Sequence, residues 1–416
     1  MGKHVVVIGG GIMGLSCAYY LHKEGHRVQV LDKSAMDGGA SYVNAGYLTP
    51  SHIIPLASPG MLAKGIKWMF DSSSPFYMKP RLDPEFLKWG WQFHRSSTRS
   101  NVDKAIPIIA AINVLSKELY QEMHDSGDLG DFQLVKEGLL MLYKSEKGGR
   151  EELEVMRRVQ DLGLEARQLN LEELNILQPG LNPEIKGAMH YQCDAHTTPN
   201  QVMEKLKAFL LDQGVEIHPH TEVTGFSHNR DILTGVETNQ GAFPAGEVVL
   251  ASGAWSPLLS RKLGLKLSLQ AGKGYRIDIH RPTPVKIPAI LMEAKVAVTP
   301  MEGFTRLAGT MEFSGINHHI RKNRVAAIAR LAETYYEGFE VQPREEEKAA
   351  CGLRPVTPDG LPYIGRVSNW KNLSLATGHA MMGWSLGPVT GKLIAEVLSG
   401  KPTSLSLEGL HPERRF

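Results

Sequence analysis

Val5-Val6-Val7-Ile8-Gly9-Gly10-Gly11-Ile12-Met13-Gly14 opens the chain, and a second apolar run, Val28-Gln29-Val30-Leu31, ends on Asp32. Together they spell strand, glycine turn, helix and strand. A G-x-G-x-x-G gains weight when it follows a strand and opens a helical pattern, as Leu15, Ala18, Tyr19 and Leu21 supply here, with an acid about 20 residues on. In that reading Gly9 makes the tight turn, Gly11 admits a pyrophosphate and Gly14 lets helix and strand pack closely. Ile12 and Met13 start the helix, whose free N–H groups and dipole attract phosphate, while Asp32 accepts hydrogen bonds from a ribose. The competing reading of residues 5–21 is the apolar region of a signal peptide. Four glycines interrupt the run and no small-residue cleavage site closes it, so the dinucleotide reading is preferred.

Working outward, the 416 residues suggest about two domains, each with its own core. A hydrophobic content of 42% and a charged content of 22% belong to a soluble globular protein. The formal net charge of +2 and the absence of a basic tract give no support to nucleic-acid binding. No apolar run is long enough to suggest a spanning helix. The stretch Pro59 to Phe70 mixes lysines with large apolar groups, which suits either an interfacial helix or, preferably, a helix on the protein's own core. Cys17, Cys193 and Cys351 are far apart and form neither a disulfide framework nor a zinc pattern. A reducing, cytoplasmic setting is expected. The 16 histidines show no metal spacing, so no metal is expected.

Small residues fill Gly38 to Gly46, and helical periodicity follows, with amphipathic runs at Ala105 to Met123 and Glu151 to Leu162. Gly138 to Tyr143 reads as a strand between them. Thr198 or Asn200 is placed to cap a helix from Gln201 to Gln213. Beyond it come a short strand at Val215 to His218, a hairpin near Ile232 to Thr238, and a buried strand at Glu247 to Ala251. That strand ends in Ala251-Ser252-Gly253-Ala254-Trp255-Ser256, and in an open α/β sheet ligands lie at such carboxyl ends. Strand-like alternation returns at Tyr275 to Ile279 and Ala294 to Val298. The last helix spans Gly391 to Leu398, closed by Gly400. The fold class is therefore α/β, with a Rossmann-like nucleotide-binding domain assembled from residues 1–85, 191–264 and 346–416. An α+β substrate domain occupies 86–190 and 265–345.

The glycine motif alone accommodates NAD or FAD. Two features favour FAD: no second complete glycine motif exists, since Gly272-Lys273-Gly274 lacks the third glycine and the helix, and the glycine-rich ends at 251–256 and 378–387 suit a long, extended cofactor. The motifs Gly9 to Gly14, Ser41-Tyr42-Val43-Asn44-Ala45-Gly46, Gly352-Leu353-Arg354-Pro355 with Asp359-Gly360, and Gly378-His379-Ala380-Met381-Met382-Gly383-Trp384-Ser385 occur in order along nearly the whole chain. In this the chain resembles the D-amino acid dehydrogenase branch of the D-amino acid oxidase and glycine oxidase flavoproteins. Tyr47-Leu48-Thr49-Pro50 and Ile66 to Phe70 resemble the dehydrogenase branch in particular.

The resemblance implies an FAD domain and a substrate domain built on a curved, mainly antiparallel sheet, with the flavin between them. Asp32 would bind the adenosine ribose beside Lys33, and Val223 would contact the adenine through its backbone. Ser41, Asn44, Ala45, Gly46 and Leu48 would follow the pyrophosphate and flavin. Ala251, Gly253 and Trp255 would flank the cofactor, and Gly378, His379, Met382, Gly383, Trp384 and Ser385 would line the flavin's far edge. Arg354 would grip the substrate carboxylate, a role its two parallel donors suit independently. Tyr275 is placed facing substrate, with a core tyrosine as the alternative, and Tyr47, His52, Met381 and Trp384 are pocket candidates. Met381 stands where some glycine oxidase relatives carry arginine, which argues against glycine or sarcosine in the same pocket. No general base is required if the amine binds neutral and Cα–H leaves as hydride. The implied reaction is oxidation of a D-amino acid, including D-proline or D-hydroxyproline, with electrons passed to a quinone or another acceptor. An oxidase producing hydrogen peroxide, a flavin-holding subunit without turnover of its own, and an NAD-dependent enzyme stay open.

Overall fold

The β-branched run Val5-Val6-Val7-Ile8 forms the strand His4–Ile8, buried on both faces, which is the environment a parallel sheet creates. In this computed structural model, which describes residues 2–60 and 76–416, that strand lies inside a six-stranded sheet. Its order is Glu216–His218, Arg27–Leu31, His4–Ile8, Glu247–Leu250, Trp370–Thr377 and Tyr363–Val367, parallel throughout except for the last, antiparallel pair. Side chains alternate between two cores. Val5 and Val7 pack towards the helices Ile12–Lys23, Pro199–Asp212 and Gly387–Ser399, whereas Val6 and Ile8 pack with Val223, Leu233 and Val236 of an antiparallel three-stranded sheet.

The second body is a nine-stranded, mainly antiparallel sheet. Its path runs Ala350–Val356, Gln270–Ile279, Phe304–Phe313, Val296–Met301, Ala289–Leu291, Leu139–Tyr143, Gly187–Tyr191 and Arg167–Leu169, with Phe76–Met78 pairing the end of Phe304–Phe313. One face packs on the helix Lys322–Glu333. The other faces the parallel sheet's carboxyl ends.

The expected elements are present with shifted ends. The helix read from 201 begins at Pro199, with Thr198 at its N-cap. The Thr198 hydroxyl donates instead to Gln133 Oε1, so no side-chain cap bond forms. The last helix begins four residues early, at Gly387. The strand read from Ala294 starts at Val296, because Glu293 to Lys295 belong to a turn in which Lys295 takes a positive φ of 53°. The sheets also divide the chain differently from the expected boundary at 345/346: Ala350–Val356 pairs residue by residue with Gln270–Ile279. The long helix Arg99–Asp125 adds Ile109, Ile112, Leu119 and Tyr120 to the nucleotide-side core. Local patterning cannot assign a helix or strand with one apolar face to either partner. Met61 to Phe70 of the interfacial candidate lie outside the described residues.

Gly14 sits where the first helix crosses the first turn. A Cβ there would stand 1.7 Å from the Gly9 carbonyl oxygen, so glycine is a condition of the close packing. The two bodies are held together by Arg306, whose side chain is fully buried. Its Nη1 donates to the carbonyls of Tyr42 and Asn44, both at 2.8 Å, while Nε and Nη2 pair with Asp278 at 2.8 and 3.0 Å. Thr299 Oγ1 donates to the Ala45 carbonyl at 2.8 Å beside it. Arg306→Met should cost roughly 3 kcal/mol, the low end for breaking a buried pair, because Arg276 still neutralises Asp278. Denaturant melts and FAD content together check this, since the 42–45 loop would loosen with the sheet contact.

Candidate active site

Between the carboxyl ends of the parallel strands and the open face of the antiparallel sheet lies a cavity of about 1140 Å³. It runs from Gly9 and Asp32 at one end to Arg354 at the other. A small-molecule pocket usually occupies about 300–1,000 Å³, so this space suits a dinucleotide with a substrate beside it.

At the first end Gly9 holds φ at +115°, and the N-cap of the helix Ile12–Lys23 is Gly11, which has no side chain to offer the first amides. Ser41 Oγ accepts from the Ile12 amide at 3.0 Å and ties the following loop to the helix start. A Cβ on Gly11 would meet nothing closer than Ser41 Oγ at 3.3 Å, so the cavity side of the turn is open for phosphate. Asp32 Oδ2 accepts from the Gly10 amide at 2.7 Å, and Oδ1 accepts from Ser34 N and Oγ. These bonds fix the carboxylate at the cavity wall. The Lys33 ammonium stands 3.9 Å above the Trp255 ring, which stacks on His318, while Val223, Ala251 and Gly253 complete this end.

Along the middle, Asn44 and Ala45 border the cavity on one side, and His379, Met382, Gly383, Trp384 and Ser385 on the other. Ser385 Oγ donates to Asn113 Oδ1 at 2.7 Å and accepts from the Thr49 amide, joining the two loops. Trp384 spends its indole N–H on Thr197 Oγ1. His379 Nε2 lies 2.9 Å from Thr390 Oγ1, and burial pushes the imidazole down to about 3, so it is neutral. Its buried Nδ1 has no hydrogen-bond partner among the described residues. A glycine turn open to the cavity at the start of a helix, with a carboxylate fixed beside it, is the cradle an extended FAD would occupy. Gly14, Gly46, Leu48 and Gly378 do not line the cavity; they shape the backbone behind it.

At the far end Arg354 projects from Ala350–Val356. A Cβ on Gly274 of the neighbouring strand would lie 2.3 Å from its guanidinium, so the arginine lies flat over that glycine. Nη1 donates to the Thr310 carbonyl at 2.8 Å. Thr310 holds a positive φ of 70° at a bulge, where Thr310 and Met311 together oppose Gly274. Arg354 forms no ion pair among the described residues, and burial lowers its pKa to about 10.

Tyr275, expected to face substrate, borders the cavity, but its side chain is turned away from it. Arg354 pairs with Gly272, and Gly274 with Gly352, so strand alternation turns Tyr275 to the opposite face. There it packs among Ile277 and Ile328 and donates to Glu312 Oε2 at 2.7 Å. Tyr47 borders the cavity, but its hydroxyl is directed to the Ala289 and Val298 carbonyls. His52 and Met381 also border it, and burial pushes His52 down to about 4. Gly274, Thr310, Asn113 and Arg306 escaped the sequence reading. Only Gly274 carried a signal, as a glycine inside a strand where another group approaches closely.

Beneath His52 lies Asp194, which accepts from Ser51 N at 3.0 Å and from Ser51 Oγ at 2.5 Å. Burial raises its pKa from 3.8 to about 7. The unfolded chain loses this proton first, so stability falls as pH rises from about 4 to about 7 and the loss is constant above that. Asp194→Asn should therefore gain melting temperature relative to the parent across that window, as read by thermal melts at several pH values. In parallel, Gly274→Val should displace Arg354 while leaving FAD content intact, as read by flavin absorbance and substrate KM.

The family described as FAD dependent oxidoreductase (DAO) matches residues 4–397. A D-amino acid dehydrogenase of Helicobacter pylori is 32% identical over 399 residues, covering 95% of each chain. One from Neisseria meningitidis is 29% identical over 423 residues, covering 99% of each. Among solved structures, glycine oxidase from Geobacillus kaustophilus superposes with a TM-score of 0.79 at 22% identity over 100% of both chains. L-proline dehydrogenase from P. horikoshii gives 0.76 at 19% identity, covering 99% of this chain and 97% of that one. These two establish the fold. Among the described residues no helix is long and apolar enough to cross a membrane. The chain belongs to the DAO family of FAD-dependent oxidoreductases.

Proposed function

We propose that this flavoprotein is a D-amino acid dehydrogenase, which oxidises the Cα–N bond of a D-amino acid and passes the electrons to a quinone or another acceptor. The observation that carries the reading is Arg354, a half-buried cation at the cavity's end with no ionic partner among the described residues. Its planar fork suits the two oxygens of an amino acid carboxylate. The relatives, which are D-amino acid dehydrogenases, support the D configuration and the dehydrogenase class.

When bound, FAD supplies the two-electron acceptor for the hydride leaving Cα. In this reading Asp32 and the start of the first helix hold the adenosine and pyrophosphate, and the 41–46 loop and the 379–385 turn enclose the flavin. Arg354 neutralises the substrate carboxylate and fixes the position of Cα. His52 and His379 are held neutral by burial, so neither is a charged partner for the amine. The imine from a primary amino acid takes up water and yields a 2-oxo acid and ammonia, whereas the cyclic imine of a proline keeps its nitrogen.

Anaerobic bleaching of the flavin by D-amino acids, including D-proline and D-hydroxyproline, and not by their L enantiomers is the expected result. Dye reduction should outpace peroxide formation; peroxide at dye-like rates would make the protein an oxidase. No bleaching by any amino or imino acid would leave a flavin-holding subunit. Arg354→Leu should keep FAD and lose about 2–5 kcal/mol of substrate stabilisation, which is roughly thirty- to several-thousandfold in kcat/KM.

A further inference from the structure

On the far side of the antiparallel sheet, directly behind Arg354, the carboxylate of Glu312 is almost completely buried among cations. Lys273 Nζ stands 3.3 Å away, Arg321 Nε 3.4 Å and Arg324 Nε 3.8 Å, and Tyr275 donates its hydroxyl at 2.7 Å. Burial alone would raise the Glu312 pKa. The bonds from Ser314 and Tyr275, with the charges of Lys273 and Arg321, outweigh it and hold the group ionised. A buried charge cluster of this kind is a weak source of net stability. Its geometry points elsewhere.

Lys273 and Tyr275 are the two neighbours of Gly274, and both reach through the same face of the sheet to one carboxylate. Glu312 lies two residues beyond Thr310, so it is fastened on both sides of the glycine that supports Arg354. Between these anchors the strand Phe304–Phe313 must fit two residues, Thr310 and Met311, opposite Gly274 alone. The extra residue is accommodated by the positive φ of Thr310, a conformation disfavoured for a β-branched side chain. It accompanies a carbonyl placed to accept from Arg354 at 2.8 Å.

We infer that Glu312, gripped by Lys273 and Tyr275, is a positioning residue that locks the Thr310 bulge and thereby aims Arg354 at the substrate carboxylate. Tyr275 contributes to substrate binding from the back of the sheet, through Glu312. Lys273 is further anchored by Asn317 Oδ1 at 2.5 Å and the His319 carbonyl at 2.9 Å, so the loop after Phe313 forms part of the same brace.

The inference rests on the carboxylate role of Arg354, and the test separates the two. D-alanine and D-alaninamide differ in whether the group presented to Arg354 is charged, so the ratio of their kcat/KM values reads carboxylate recognition. Tyr275→Phe, which keeps the core ring and removes one bond to Glu312, should lower kcat/KM for D-alanine about ten- to a hundredfold, the scale on which a misplacement of roughly 1 Å acts. The kcat/KM for D-alaninamide should change by far less, and FAD should stay bound. Glu312→Gln should act in the same direction and more strongly. If it fails to fold, Tyr275→Phe decides alone. If Arg354→Leu abolishes the D-alanine preference while folded, FAD-loaded Tyr275→Phe keeps it, the brace is refuted and the role of Arg354 stands. If Arg354→Leu leaves the preference intact, the role of Arg354 itself falls.

Discussion

Arg306 is the contact on which the cavity depends. Its guanidinium reaches from the antiparallel sheet to the carbonyls of Tyr42 and Asn44, while Asp278 compensates its charge from the next strand. The loop it holds continues from the glycine turn, through the bond of Ser41 to the helix start. Arg306, with the bonds of Thr299 and Tyr47 beside it, therefore sets the distance between the phosphate-binding end and the sheet floor where Arg354 lies. A guanidinium suits the task because it can bond two carbonyls and a carboxylate at once, in fixed directions. No comparably sized apolar contact would specify the loop's orientation.

The nucleotide unit was readable because everything that makes it is local. A run of β-branched residues, a glycine turn, a helix and an acid at a set distance all act within 32 residues, and the structure repeats them in order. Arg354 was readable for a different reason. Its motif named it, although no local pattern says that its strand joins the antiparallel sheet. The Tyr275 side chain was misplaced because strand parity is a one-residue question. The answer was present in the glycines on either side of Lys273: positions 272 and 274 are bare because that face must admit Arg354 and Met311. The Arg306 strut and the Thr310 bulge were invisible, since both depend on pairings between residues far apart in the chain.

The site treats its ionisable groups in two ways. His52 and His379 are stripped of charge by burial, and Asp194 is pushed towards neutrality for the same reason. Glu312 keeps its charge because cations and hydrogen bonds surround it, and Arg354 keeps its own with only a carbonyl and a weak sulfur contact. The Arg354 cation therefore stands at the end of the cavity where an anionic group would arrive. Such an arrangement favours one orientation of an amino acid over its reverse.

The order of strands in the parallel sheet has a consequence for how the protein is made. His4–Ile8 is the first strand synthesised, yet one of its two edges pairs with Glu247–Leu250, and that strand in turn awaits Trp370–Thr377. Until about nine-tenths of the chain has left the ribosome, an apolar sheet edge stays open and its core is incomplete. Long-range parallel pairing of this kind is slow and exposed to aggregation. The glycine turn, though first in the sequence, gains its far wall last. FAD can meet a finished site only after the C-terminal strands arrive, so cofactor capture is a closing event of folding and a natural point for nascent chains to be rescued or lost.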